Sequence, residues 1–273
     1  MRRSTIIRFP EGIPNSNLPL PISLIFNNPN QSFHMPHRVF ADDALTAETL
    51  ELDEQEARHL RDVMRIKVGD VVEVFNGKGV VAQATVSKAA KRCVELNLQS
   101  RQSVEYKSSG ITIAAAIPKG DRFRWMIEKL SELNVERFIP LTTSRSVVSP
   151  GDSKLKRMRQ VVIAAAKQCR RNDLMAITPV IDWPTAVTEW GPKMLLADPV
   201  GKSVSSAISS NGEVVFAIGP EGGFSPKETQ LALDAGASNV RFGDTILRIE
   251  TAAIAAATIG SLLLSDSNGR SNE

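Results

Sequence analysis

The residues best suited to chemistry are Gly219-Pro220-Glu221-Gly222-Gly223, set between Glu213-Val-Val-Phe-Ala-Ile218 and Ser225-Pro226-Lys227-Glu228. The first flank is a short apolar run with β-branched residues, the mark of a buried strand. In the second, Ser225, Pro226 and Glu228 fall at N-cap, N1 and N3 of a helix, a capping box with proline where its missing N–H costs nothing. Strand, glycine loop and helix start together let backbone N–H and C=O groups approach a ligand, because glycine has no Cβ to collide with it. A plain strand-to-helix turn needs fewer glycines, so the loop reads as ligand-binding.

Two further loops lie beside it in the pattern. One follows the strand Met194-Leu-Leu196-Ala197. The other, Gly243-Asp-Thr245-Ile246-Leu247-Arg248-Ile249-Glu250-Thr251, follows the strand Asn239–Phe242 and enters a helix running to about Leu264. That helix is apolar on every side, so it must be buried in a core or against another chain. Ligands in open α/β sheets bind at the carboxyl ends of strands, where all three loops stand. Two other glycine patterns are decoys. Gly77-Lys-Gly79-Val-Val-Ala82 matches a dinucleotide fingerprint, but a strand follows where a helix is required. Val200-Gly201-Lys202-Ser203 has the tail of a phosphate loop without its leading glycine, since Leu196 stands there.

The elements that must position these loops begin near residue 110. Ile111–Ile117 is a continuous apolar run, as suits a parallel strand covered on both faces. Pro118-Lys119-Gly120-Asp121 turns the chain, with Asp121 the expected N-cap of a helix that turns Phe123, Met126, Ile127, Leu130 and Leu133 inward. Arg137–Pro140 is the next strand, and a helix spans about Ser153 to Cys169. Between Lys154 and Arg171 stand seven basic residues and no acidic one, which suggests a phosphate-facing surface. Val180 and Ile181 close a further strand. Upstream, residues 37 to 100 carry mainly β signals: Arg38–Phe40, Thr49–Leu52, and Val71–Phe75 joined through Asn76-Gly77 to Val80–Val86, then Arg92–Leu98. A helix capped by Asp53 and Glu56 presents Ala57, Leu60, Val63 and Met64 on one face. Arg101–Gly110 is a polar linker.

At 273 residues with a net charge of +3, the chain can hold one large or two ordinary domains, and its charge alone argues for no partner. Cys93 and Cys169 stand far apart and only three histidines occur, which fits a reducing compartment and argues against a structural metal. No apolar run is long enough to span a bilayer. Residues 1–34, with Arg2, Arg3 and Arg8 against one acid, read as a disordered extension, a start placed too far upstream, or a transit segment.

Ile218-Gly-Pro-Glu-Gly-Gly-Phe-Ser225 followed by Leu247-Arg-Ile-Glu-Thr-Ala252 resembles the paired signature of the bacterial ribosomal RNA small-subunit methyltransferase E family, of the SPOUT superfamily. His59-Leu60 through Arg65, Lys119–Arg122, Glu128–Leu133 and Ala165–Cys169 extend the resemblance over about residues 37 to 264. It implies an α/β fold: a PUA-like RNA-binding β-barrel over 35–107, a trefoil-knotted parallel-sheet methyltransferase domain over 108–265, and a disordered tail over 266–273. It also implies S-adenosylmethionine as methyl donor, N3 of a uridine in 16S rRNA as target, the small ribosomal subunit as partner, a homodimer, and a cytoplasmic location. No metal is expected.

On that resemblance the donor would contact Leu196, Ala197, Ile218, Gly219, Pro220, Glu221, Gly222, Gly223, Phe242, Gly243, Ile246 and Leu247. Arg248 would steady negative charge on the uracil and Glu250 is a weaker candidate for its base. Arg38, Arg61, Arg65, Lys119, Arg122, Arg145, Arg170 and Arg171 would grip RNA. The chain departs from the family pattern at Thr245 and Ile249 in the donor loop, at Lys167, and at Asn134 and Arg170, where glycine is usual. A methyltransferase of the same fold acting on another RNA, or an RNA-binding assembly factor without chemistry, are the alternatives; a phosphate-handling enzyme is weaker, since neither phosphate fingerprint survives.

Overall fold

The computed structural model describes residues 36–90, 93–105, 108–148, 151–207 and 212–269. The extension over 1–34 lies outside them. Two sheets follow each other in the chain. The first is built from β1 (His37–Phe40), β2 (Thr49–Glu51), α1 (Glu54–Arg58), β3 (Val71–Phe75), β4 (Val80–Ala90) and β5 (Cys93–Ser103), with strand order β1-β3-β4-β5-β2. The Asn76-Gly77 hairpin forms as expected, and Asn76 Oδ1 accepts the N–H groups of Lys78 and Val80 across the turn. β5 runs on to Ser103, so the polar linker is shorter than the composition suggested.

Asp53 caps α1 through the N–H of Glu56. Beyond Arg58 the helix widens into one π turn, His59–Val63. The wider turn breaks the expected apolar face: Ala57 and Leu60 are buried, whereas Val63 is 64% exposed and Met64 also faces outward.

The second sheet is parallel, in the order β12-β10-β11-β6-β7-β8, with β9 beside β7. Its elements are β6 (Ile111–Ala116), α2 (Arg122–Glu132), β7 (Arg137–Thr142), α3 (Asp152–Cys169), β8 (Ala176–Ile177), β9 (Ile181–Asp182), α4 (Trp183–Trp190), β10 (Met194–Ser203), β11 (Val214–Ile218), α5 (Pro226–Asp234), β12 (Ser238–Arg241) and α6 (Ile249–Gly269). Strand alternation sends Ile113, Phe138, Leu195 and Phe216 to one face, against α2, α3 and α6. Ala114, Ile139, Leu196 and Ala217 go to the other, against Trp183 and Trp190 of α4. This is the burial that the continuous apolar runs implied.

Several details differ from expectation. Asp121 stands at the N-cap of α2 with αR backbone angles and makes no side-chain cap bond. Helix α4, capped by Asp182 through the N–H of Thr185, was not anticipated. Helix α6 starts at Ile249, so Glu250 lies in its first turn, and it continues through Gly269 into what was expected to be tail. Asn134 (φ 57°) and Arg170 (φ 60°) both adopt left-handed backbone, which is why glycine suits those two positions.

Candidate functional site

Because β6, β10, β11 and β12 are mutually parallel, their carboxyl ends open on one edge of the sheet. A cleft of about 440 Å³ lies there, within the range of small-molecule sites. Its walls are the glycine loop after β11, the 242–249 loop after β12, and Ala197–Pro199 of β10. Of the twelve residues expected to hold a donor, eleven line it: Ala197, Ile218, Gly219, Pro220, Glu221, Gly222, Gly223, Phe242, Gly243, Ile246 and Leu247. Leu196 does not. One residue before Ala197, it points to the opposite face and packs with Trp183 and Trp190. Thr245, noted as a departure in the donor loop, lines the cleft too; Asp198, Pro199, Val240, Arg241 and Ala252 also line it and were not singled out, although Asp198 and Pro199 directly follow the strand end that was.

The glycine loop is braced from several sides. Gly223, at φ 66°, closes a turn by donating its N–H to Pro220 O at 2.8 Å. Phe224 rests on Trp183, with ring centroids 4.3 Å apart, and Trp183 Nε1 donates to Glu228 O. Ser225 and Glu228 form the expected reciprocal capping box. Glu228 also accepts from the backbone N–H and the hydroxyl of Ser144, tying the loop after β7 to the start of α5. Arg145 on that same loop donates to Gly222 O at 2.6 Å, so it supports the glycine loop as well as facing solvent.

Burial pushes the Glu228 carboxyl upward, but hydrogen bonds from Ser144 and Ser225 outweigh it and hold the group below the usual glutamate range. A depressed carboxyl stabilises the fold above its unfolded value, about 4.3, and that contribution is lost as pH falls through the folded value. Glu228→Gln is expected to cost about 1 kcal/mol at pH 7, in the range for a lost helix cap, and much less at a pH low enough to protonate the wild-type carboxyl in the folded protein. Urea denaturation at both pH values checks this; an equal penalty at the two would contradict it.

Arg248 lines the cleft and is exposed, and its guanidinium makes no hydrogen bond or ion pair with the described residues. Glu250, in contrast, is 6% exposed and does not line the cleft. Its nearest charged partner is Arg122, at 3.5 Å.

The cations expected to grip RNA divide into two groups. Lys119 and Arg65 are exposed, and Arg61 is held by Asp62 at the surface. Arg38 and Arg171 are buried instead. Arg38 pairs with Glu73 at 2.8 Å and donates to Ala166 O, Arg171 O and the Asn172 side chain. Arg171 binds Asp173, Ser131 O and Val135 O. Arg170 pairs with Glu73 and Lys167 with Glu56, so the end of α3 is an internal seam to the first sheet. The exposed cations of α3 lie nearer its start, at Lys156, Arg157 and Arg159.

Known proteins share this architecture. A family described as RNA methyltransferase domain matches residues 105–261, and one described as RNA methyltransferase PUA domain matches residues 52–99. A ribosomal RNA small subunit methyltransferase E from Synechocystis is 31% identical, covering 86% of this chain and 80% of its own length. Its counterpart from Mycobacterium bovis is 30% identical, over 77% and 86% respectively. The crystal structure of the Neisseria gonorrhoeae ribosomal RNA small subunit methyltransferase E bound to S-adenosyl methionine superposes with a TM-score of 0.77 at 30% identity, covering 84% of this chain and 98% of that one.

Proposed function

The chain belongs to the ribosomal RNA small subunit methyltransferase E family, and from that membership we propose that it methylates N3 of a uridine in 16S rRNA, with S-adenosylmethionine as donor. It is an S-adenosylmethionine-dependent rRNA methyltransferase; the atom and the nucleotide are the proposal. The observation that carries it is the cleft between the two signature loops, with the Arg248 guanidinium exposed on its wall.

The cleft fits the donor. Its volume suits a nucleoside-sized group, Ile218, Phe242, Ile246 and Leu247 offer apolar surface, and glycine backbone forms much of one wall. When bound, the donor supplies an activated methyl group, so the protein's task is to position the uracil and exclude water. Loss of the N3 proton leaves negative charge on the uracil, and Arg248 is the group that steadies it. Arg61, Arg65, Lys119 and the exposed cations of α3 hold the RNA through phosphate, which adjusts position but reads no sequence. Trp125 on α2 and Leu262 on α6, 47% and 64% exposed, fit burial against a second copy of the chain. Among the described residues no helix is long and apolar enough to cross a membrane, and a cytoplasmic site of action fits an rRNA substrate.

Two measurements test this reading. Calorimetry with S-adenosylmethionine should give one saturable site per chain, and no donor binding would sink the proposal. Small subunits from a strain lacking the gene, incubated with protein and donor, should gain one methyluridine located by mass spectrometry. Methylation of another RNA alone would keep the chemistry and replace the target.

A further inference from the structure

We propose that Arg122 is a second catalytic cation, acting with Arg248 on the two carbonyl oxygens that flank uracil N3. The inference rests on the uridine-methylating reading above. It begins with topology. β6 lies beside β11 in parallel register, so the turn after β6 and the glycine loop after β11 open on the same edge. Lys119-Gly120-Asp121 reverses the chain there, and Arg122 is the first residue of α2.

Arg122 is held from two sides. Its Nη2 is 3.8 Å from Glu221 on the cleft wall, and its Nη1 is 3.5 Å from Glu250 at the start of α6. Both separations exceed the roughly 2.7–2.9 Å of a charge-assisted hydrogen bond. Only Nε, 3.4 Å from Lys119 O, is directed to an internal acceptor. The side chain is 38% exposed. The two carboxylates thus fix the guanidinium beside the cleft while leaving its Nη hydrogens for another acceptor.

Glu250 explains why the arrangement persists. Its Oε2 is shielded from solvent and has no hydrogen-bond partner among the described residues, an unfavourable state for a carboxyl group. It is offset by the N-terminal end of α6 and by Arg122, its one ion pair among the described residues. Neither Arg122 nor Glu250 is among the residues that line the donor cleft; Arg122 is partly exposed beside Glu221 on its wall, whereas Glu250 is buried and meets Arg122, which makes it a positioning residue for Arg122 rather than the base.

The chemistry calls for such a pair. Uracil N3 lies between two carbonyl carbons, and when N3 loses its proton the charge spreads to both oxygens. One guanidinium at each oxygen makes N3 acidic enough to release its proton to water, so no carboxylate base is required. The electron pair left on N3 then forms the bond to the methyl carbon, whose former bond to sulfur leaves with the sulfur.

The test is the pH–rate profile for methylation of small subunits, read beside donor affinity by calorimetry and thermal denaturation. Arg122→Ala should lower turnover by about 10²-fold, in the range for one lost oxyanion donor, and move the rising limb to higher pH. Arg122→Lys, which keeps the charge paired with Glu250, should lose less and shift less. Donor affinity should stay within about threefold in both. A profile lowered equally at every pH, or donor affinity lost in parallel with turnover, overturns the inference and makes Arg122 a brace for Glu221. If the wild type transfers no methyl group, it is the enzymatic reading that fails; if it does and neither variant shifts, only this inference fails.

Discussion

Replacing Arg38 with alanine is expected to cost about 3 kcal/mol of folding stability, the lower end of the range for breaking a buried ion pair. At roughly 2–4 °C per kcal/mol for a chain of this size, Tm should drop by about 10 °C. The side chain is 4% exposed and its ring partner is Phe75, 4.2 Å from the guanidinium carbon. Burial works against its charge and lowers its pKa, and Glu73 acts in the opposite direction. Nε approaches Glu73 at 2.8 Å as an ion pair without the alignment of a hydrogen bond, while Nη1 satisfies the carbonyls of Ala166 and Arg171 at the end of α3. Alanine would leave those two carbonyls without the donor that now joins the first sheet to α3. Glu73 keeps Arg170, which is why the lower figure applies. Arg38→Met combined with Glu73→Gln should cost less than the sum of the single changes, as coupled partners do. An RNA contact predicts the reverse outcome: unchanged stability, with the salt dependence of RNA binding reduced by about one phosphate. Denaturation and salt-titrated RNA binding of the same variant separate the two.

Arg38 also shows where the sequence stops being readable. Charge count and clustering locate cations, but not the carboxylates that will meet them. Lys167 and Arg170 belong to a run without acids, yet their partners Glu56 and Glu73 lie 111 and 97 positions away. The sheet was legible because both its faces are covered, which makes Ile111–Ala116 and Val214–Ile218 apolar without alternation. The capping box at Ser225 was legible because it is local. Facing was harder: Leu196 and Ala197 are neighbours in a strand end, and only the register decides which one meets the cleft. Helix α4 was missed although Asp182 and Pro184 are cap and N-terminal proline, because Val180-Ile181 just before them read as a strand and nothing marked its end.

The rejected phosphate-loop pattern at Gly201 has a structural explanation. A Cβ there would stand 2.6 Å from the Val240 nitrogen and 2.7 Å from the Asn239 carbonyl carbon, so glycine allows the tail of β10 to lie against β12. That close approach sets the path of the chain into the 242–249 loop. The glycine therefore serves backbone packing between β10 and β12, which its sequence context could not distinguish from phosphate binding.

Arg248→Ala is expected to lower turnover by about 10²–10³-fold, the effect of removing a donor aimed at developing charge, while donor affinity changes by no more than a few-fold. The backbone at this residue is fixed independently of its side chain, since Arg248 O accepts the N–H of Ala252 at 2.8 Å as α6 begins. The guanidinium is exposed on the cleft wall and has no partner among the described residues, so its removal should leave stability within about 0.5 kcal/mol. That combination distinguishes it from Arg38, whose loss is felt in stability, and from Arg145, whose loss would loosen Gly222 and so weaken donor binding. Arg248→Lys should recover only part of the rate, because an ammonium retains the charge but lacks the planar fork of donors. Single-turnover methylation of small subunits, with calorimetry on the same preparations, measures both quantities. Turnover unchanged in Arg248→Ala would remove the residue from the reaction, and a parallel loss of donor affinity would reassign it to holding the donor.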